Sequence, residues 1–148
     1  MNAKLVSILL VEDDPGDVLL IREALADHKV ANYVSTVGDG VEAMQFIRGE
    51  GEYADREGPD LVLLDLNLPR KSGAEVLAEI KGDPQLATIP VIVLTTSDAD
   101  EDILRSYRLH ANAYITKPVD FARFREIVHH IDDFFVGIVK LPPRPARA

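Results

Sequence analysis

Short apolar runs recur along the chain, and they limit the folds open to it more than any other feature. Four of the runs are almost continuous, and a fifth is weaker because polar residues interrupt it. The four strong runs cover residues 6–11, 61–64, 91–94 and 113–115, and the weaker run covers residues 33–37. Continuous rather than alternating apolar character is typical of strands that are buried on both faces, as in a parallel sheet.

The segments between these runs have apolar residues at helical spacing and begin with residues that favour helix N-termini. The candidate N-caps are Asp14, Asp39, Ser72, Ser97 or Asp98, and Asp120. Pro15 suits the first position of the first helix, and Gly49 is placed to end the second. Glu75 lies three residues after the Ser72 cap, which is the spacing of a capping box. We therefore predict a helix after each strand.

Strands and helices alternate five times, which predicts an α/β fold: a doubly wound, five-stranded parallel sheet with right-handed crossovers and five helices. A chain of 148 residues fits one such domain. We expect the domain over residues 1–140 and an extended tail with three prolines over residues 141–148. The stretch 49–59 is rich in glycine and charge and predicts an exposed loop.

Composition argues against several classes of function. The net charge of -9 leaves no basic footprint for nucleic acid. The chain has no cysteine, so it forms neither a disulfide nor a thiolate metal site. No apolar stretch approaches the roughly 18 residues that a membrane span needs, and the N-terminus has no signal-peptide pattern. We expect a soluble, cytoplasmic protein.

Polar residues follow the carboxyl ends of four predicted strands, which is the edge where doubly wound sheets bind ligands. They are Glu12 and Asp13 after the first apolar run, Asp65 after the third, Thr95 after the fourth and Lys117 after the fifth. Burying Asp65 among other carboxylates is costly unless a cation lies between them, and oxygen ligands suit Mg²⁺. With Mg²⁺ held there, Asp65 is a candidate nucleophile toward phosphorus. Thr95 and Lys117 are candidate partners of the phosphoryl oxygens.

Taken singly, these residues have ordinary interpretations. The acidic turn at 12–14 and Asp65 are each typical of helix or loop caps. Lys117 by itself resembles a surface lysine, and Tyr114 is as well explained as an ordinary core or edge aromatic residue. The joint placement of Asp65, Thr95 and Lys117 at one edge favours a functional site.

The motifs along this edge resemble those of the receiver domain of bacterial response regulators. The motifs are Val11-Glu12-Asp13-Asp14-Pro15, Asp65-Leu66-Asn67-Leu68-Pro69, Leu94-Thr95-Thr96 and Tyr114-Ile115-Thr116-Lys117-Pro118, in the family's order. The resemblance implies a flavodoxin-like fold with strand order 2-1-3-4-5. It also implies that Asp13 and Asp65 bind Mg²⁺ directly, that Glu12 assists through water, and that Asn67 contributes its backbone carbonyl.

The same resemblance implies a phosphorylation switch. A sensor histidine kinase would phosphorylate Asp65, and Thr95 and Tyr114 would reorient in response. Residues 13–20, the loop before residue 59, residues 94–97 and residues 134–142 are similar to those of the stand-alone regulators that are paired with phytochrome-type kinases.

The last predicted helix is longer than the sheet it covers. Apolar residues recur at helical spacing from residue 121 to residue 139, a span of about 28 Å, whereas a strand of five or six residues spans about 17–20 Å. The final turns would therefore overhang the sheet, and exposed apolar clusters mark interfaces. We predict a homodimer that packs through Phe134, Phe135, Ile138, Val139 and Leu141.

Several functions remain open from the sequence. The favoured one is a switch whose partner-binding or dimer surface responds to phosphorylation. A phosphorelay intermediate and a degenerate, phosphorylation-independent scaffold are the alternatives. An enzyme acting on external substrates is disfavoured, because phosphohydrolases with an aspartyl nucleophile usually carry a second aspartate two residues on, where this chain has Asn67. We expect self-dephosphorylation instead.

Overall fold

The computed structural model describes residues 6–26, 32–55, 58–95 and 113–116; Val6, Ala24, Asn32, Thr95 and residues 113–116 are described by their backbone alone. Within these ranges five parallel strands form one sheet in the order β2-β1-β3-β4-β5. The strands are β1 (Val6–Val11), β2 (Asn32–Val37), β3 (Leu61–Asp65), β4 (Val91–Thr95) and β5 (Ala113–Thr116). The predicted parallel fold and its strand order are confirmed.

Helices connect the strands. They are α1 (Pro15–Ala26), α2 (Gly40–Arg48) and α3 (Gly73–Gly82), and a short 3₁₀ helix (Gly51–Tyr53) follows α2. These three α-helices agree with the first three predicted ones. The predicted fourth and fifth helices, the predicted boundary after residue 140 and the tail at 141–148 lie outside the described residues. None of the helices in the described ranges is long and apolar enough to cross a membrane.

The central strands are buried on both faces, as continuous apolar runs require. All five residues of β3 are buried. Leu9 of β1 and Val62 of β3 belong to the core that α2 and α3 cover. Because side chains alternate along a strand, the buried Leu10 and Leu63 face the opposite side. Ile21 of α1 is also buried but lies outside the α2–α3 core, so we infer that α1 covers that second face.

The predicted ends of α2 and α3 are confirmed. The Oδ1 atom of Asp39 accepts a hydrogen bond from the Glu42 N–H at 2.7 Å, and Gly49 ends α2 in the left-handed region with φ of 69°. The Oγ atom of Ser72 accepts from the Glu75 N–H at 3.2 Å at the start of α3. Side-chain caps of this kind satisfy helix donors that have no partner within the helix.

The loop after α2 contains a buried anchor, which the prediction of an exposed loop over 49–59 missed. Residues 50–52 and 54–55 are exposed, but Tyr53 and Pro59 are buried. The Tyr53 ring lies 5.0 Å from the Phe46 ring, and its hydroxyl donates to Oε1 of Glu42 at 2.7 Å. Burial and the hydrogen bond to Glu42 raise the pKa of the Tyr53 hydroxyl. A single aromatic residue in a polar stretch carries too little periodicity to predict its burial.

Candidate metal centre

β1 and β3 are neighbours in the middle of the sheet, and the chain crosses to opposite sides after them. β2 lies beyond β1 on one side, and β4 lies beyond β3 on the other. Such a switch point opens a crevice at the carboxyl ends of the strands. The two strands pair up to Val11 and Leu64, so the next residues, Glu12 and Asp65, emerge side by side.

Three carboxylates meet in this crevice. Oxygen atoms of Glu12, Asp13 and Asp65 lie within 4.8 Å of one another. Glu12 and Asp65 are each only 2% exposed, whereas Asp13 is exposed. Two ionised carboxylates at that separation repel by about 3–4 kcal/mol if the effective dielectric constant is about 20. A bound divalent cation would offset this repulsion, and three hard oxygen donors are suitable ligands for it, so the residues fit a divalent metal.

The acidic turn after β1 is fixed from both sides. The Glu12 N–H donates to the Val37 carbonyl at the end of β2, at 3.1 Å. The Oε1 atom of Glu12 accepts from the Asp14 N–H at 3.1 Å. Asp14 in turn accepts from the Gly16 N–H at 3.0 Å through its Oδ1 atom, at the start of α1. The Glu12 backbone is therefore tied to the end of β2, and its carboxylate is oriented by the Asp14 N–H just before α1.

Asp65 is held by the backbone that follows it. Its Oδ1 atom accepts from the Asn67 N–H at 3.1 Å. The intervening Leu66 N–H donates to the carbonyl of Leu94 in β4, at 3.2 Å. The position of the Asp65 carboxylate therefore depends on the path of residues 66–72, which we call the β3–α3 loop.

The β3–α3 loop is tightly folded. The Gly73 N–H donates to the Leu66 carbonyl at 3.0 Å, and the Lys71 N–H donates to the Pro69 carbonyl at 2.8 Å. Arg70, which lies between Pro69 and Lys71, adopts a φ of 67°. This value falls in the left-handed region, which costs a non-glycine residue about 1–2 kcal/mol. The sequence of this loop does not predict a left-handed conformation at Arg70.

Two glycines to which the sequence assigned no packing role allow this loop to pack closely. A Cβ atom at Gly73 would lie 2.6 Å from Leu66 Cα and closer still to the Asp65 carbonyl oxygen. A Cβ atom at Gly40 would lie 2.7 Å from the Lys71 carbonyl carbon and closer to its oxygen. Each glycine follows a helix cap in sequence, but only the folded chain reveals what lies against it.

The predicted site residues fall into three groups. Glu12, Asp13 and Asp65 are brought together, and Asn67 contacts Asp65. Thr95 ends β4 and pairs with Thr116 of β5, and Tyr114 of β5 pairs with Val93 of β4. Both are described by their backbone alone. The remaining predicted residues lie outside the described ranges, namely Lys117, Phe134, Phe135, Ile138, Val139 and Leu141.

Comparison with known proteins identifies the family. Residues 8–129 match the model of the response regulator receiver domain. The chain is also 45% identical to Response regulator Rcp1 of Synechocystis sp. over 135 residues, which cover 91% of this chain and 92% of that protein. The chain therefore belongs to the response regulator receiver family, as its motifs predict.

Solved structures support the same family assignment. The phosphorylated cyanobacterial phytochrome response regulator RcpA is 52% identical, with a TM-score of 0.81, and the match covers 95% of this chain and all of that one (100%). The Mn²⁺-bound form of response regulator Rcp1 is 42% identical, with a TM-score of 0.77, over 95% of this chain and 99% of that one. The predicted resemblance to phytochrome-linked regulators is confirmed. Receiver domains bind a divalent metal and work with histidine kinases, and the acidic cluster described above fits such a metal.

Proposed function

We propose that this response regulator accepts a phosphoryl group on Asp65 from the phosphohistidine of a sensor kinase. The observation that carries the proposal is the position of Asp65, a buried carboxylate at the switch point with oxygens of Glu12 and Asp13 within 4.8 Å. An Asp65 carboxylate oxygen bonds to phosphorus while the phosphorus–nitrogen bond of the kinase breaks, and the released imidazole takes up a proton. The product is an acyl phosphate, which water hydrolyses to the carboxylate and inorganic phosphate.

Glu12, Asp13 and Asp65 would hold Mg²⁺, together with the backbone carbonyl of Asn67. When bound, the metal supplies positive charge that offsets the carboxylates and the phosphoryl oxygens. The protein's own contribution is orientation. The Asn67 N–H donates to one Asp65 oxygen, and the Val37 carbonyl fixes the backbone of Glu12.

Thr95, Tyr114 and Lys117 complete the proposed switch. Lys117 would pair with a phosphoryl oxygen, Thr95 would donate a hydrogen bond to another, and Tyr114 would follow the Thr95 movement. A contact within the described residues supports this coupling. The Leu66 N–H donates to Leu94, so the residue after Asp65 is bonded to the residue before Thr95.

We further propose a phytochrome-type kinase as the phosphoryl donor and a homodimer as the assembled form. The kinase assignment is supported by the 52% identity to RcpA. The dimer rests on the apolar sequence pattern at 134–141. We propose no turnover of external substrates, because Asn67 stands where a general acid would be needed.

The test of phosphorylation is intact-mass measurement after incubation with Mg²⁺ and acetyl phosphate. We expect a gain of one phosphoryl group that EDTA prevents and Asp65→Asn abolishes. Asp55→Asn is the matched control, because Asp55 is an exposed aspartate in the loop after α2. No gain with acetyl phosphate or with any kinase would refute the proposal and favour a phosphorylation-independent scaffold.

The partners need separate measurements. Loss of radiolabel from a phytochrome-type kinase, with transfer to wild type but not to Asp65→Asn, would support the kinase assignment. Onward transfer of the label to a histidine of a third protein would instead indicate a phosphorelay intermediate. Light scattering of wild type and of the Phe135→Asp/Ile138→Asp double variant tests the dimer, and a monomeric wild type would contradict it.

A further inference from the structure

The N-terminus of α2 packs against the β3–α3 loop. Gly40, the first residue of α2, is buried, and the carbonyl of Lys71 packs so closely against it that no Cβ atom fits. The Gly40 N–H also donates a long hydrogen bond to the Pro69 carbonyl, at 3.5 Å. The contact joins two backbones, so an added methyl group there cannot be accommodated by a side-chain rotation.

Hydrogen bonds of the β3–α3 loop connect the contact at Gly40 to Asp65. The Lys71 N–H is bonded to Pro69, and the Gly73 N–H is bonded to Leu66, so residues 66–73 form a closed turn. The Gly73–Leu66 bond closes the turn and the Lys71–Pro69 bond lies inside it, so the path of Lys71 is tied to the path of the residues that follow Asp65. The same turn carries the Asn67 N–H that orients the Asp65 carboxylate. Displacement of the Lys71 carbonyl would therefore shift the donor that holds Asp65.

Side-chain contacts also hold the start of α2 beside the β3–α3 loop. Asp39 accepts from the Glu42 N–H through Oδ1, which fixes the start of α2. Its Oδ2 atom pairs with Arg70 of the loop at 3.3 Å. The Arg70 side chain is 62% exposed, so this ion pair is weak, and we attribute the positioning mainly to the Gly40 contact.

We propose that Gly40 is a positioning residue for the metal site: by permitting close approach of the Lys71 carbonyl, it sets the path of the β3–α3 loop and thereby the orientation of Asp65. The inference rests on the proposed function in one respect, because it takes Asp65 as a metal ligand. It goes beyond that function by assigning a role to α2, which contributes no ligand.

Isothermal titration calorimetry with Mg²⁺ alone tests the proposal. We expect Gly40→Ala to weaken Mg²⁺ binding by about tenfold or more, the effect typical of residues that orient a metal ligand. The matched control is Gly38→Ala, two residues earlier, where an added Cβ atom meets nothing within 4 Å. Its affinity should stay within about twofold of wild type. Circular dichroism of both variants establishes that the comparison is between folded proteins.

The outcomes separate the two proposals. Absence of Mg²⁺ binding by wild type would overturn the metal assignment and this inference with it. Binding by wild type together with unchanged affinity in Gly40→Ala, or with equal weakening in Gly38→Ala, would overturn this inference alone.

A measurement on wild type covers the case in which Gly40→Ala does not fold. Coupling between two sites is reciprocal, so Mg²⁺ binding should tighten the contact at Gly40. Hydrogen exchange followed by NMR should show the Gly40 amide slowed by saturating Mg²⁺ relative to Gly82 at the far end of α3. Equal effects on the two amides would overturn the proposal.

Discussion

Replacing Asp65 by asparagine should stabilise the metal-free protein. Glu12 and Asp65 are each 2% exposed, and their oxygens lie within 4.8 Å of one another. Asparagine has nearly the same shape and keeps an oxygen that can accept from the Asn67 N–H, but it carries no charge. The substitution therefore removes the repulsion and preserves most of the packing.

The size of the effect follows from Coulomb's law. At an effective dielectric constant of about 20, the repulsion at this distance is about 3–4 kcal/mol. Solvent and local rearrangement relieve part of it in the metal-free state, so we expect a net gain of about 1–3 kcal/mol in the free energy of unfolding. For a domain of this size, each kcal/mol raises Tm by about 2–4 °C.

The assay is thermal unfolding by circular dichroism in EDTA and in Mg²⁺. A free Mg²⁺ concentration of about 100 times Kd should add about 2.7 kcal/mol to wild type. We expect Asp65→Asn to have a higher Tm than wild type in EDTA and a much smaller response to Mg²⁺. Glu23→Gln is the control, because it removes the same charge from an exposed position on α1, and both its Tm and its Mg²⁺ response should match wild type.

Two results would refute the reasoning. If Asp65→Asn is no more stable than wild type in EDTA, the buried carboxylates do not repel as the geometry implies. If Mg²⁺ stabilises Asp65→Asn and wild type equally, the metal does not bind at Asp65.

The remaining predictions concern other parts of the structure. Asp13→Asn should weaken Mg²⁺ binding by calorimetry yet leave Tm in EDTA nearly unchanged, because Asp13 is exposed; a large fall in Tm would contradict this. Gly73→Ala should lower the free energy of unfolding, measured in urea, by about 1–3 kcal/mol through overpacking. Gly82→Ala is the control and should not destabilise the protein, because the space around its Cβ position is open. Equal effects of the two substitutions would argue against the close approach at Gly73. Tyr53→Phe should cost about 1 kcal/mol at neutral pH through loss of the hydrogen bond to Glu42. Because the folded pKa of Tyr53 is raised, its neutral hydroxyl stabilises the fold below the ordinary value of 10.0, and wild type should lose stability above that pH more steeply than Tyr53→Phe. Parallel stability curves for the two proteins would exclude that linkage.

Much of the fold was predictable because the signals for it are local. Continuous apolar runs predicted strands buried on both faces, and Asp39, Ser72 and Gly49 marked helix ends by chemistry confined to a single turn of backbone. The convergence of Glu12, Asp13 and Asp65 was predictable because the carboxyl ends of parallel strands share one edge. Tyr53 was missed because its burial depends on Phe46 and Glu42, which a local pattern does not reveal.

The sequence by itself determined the alternation of strands and helices, the family motifs and the identity of the acids at the strand ends. These depend on residue type and spacing, which act over a few residues. Only the tertiary structure decided how close Glu12 and Asp65 come, that Asn67 donates to Asp65, and that Gly40 and Gly73 lie against other backbone. The Glu12–Asp65 and Gly40–Lys71 contacts join segments far apart in the chain, and they form only when the sheet brings those segments together. The Asn67 and Gly73 contacts are closer in sequence, but they depend on the path of the β3–α3 loop, which no local pattern predicts.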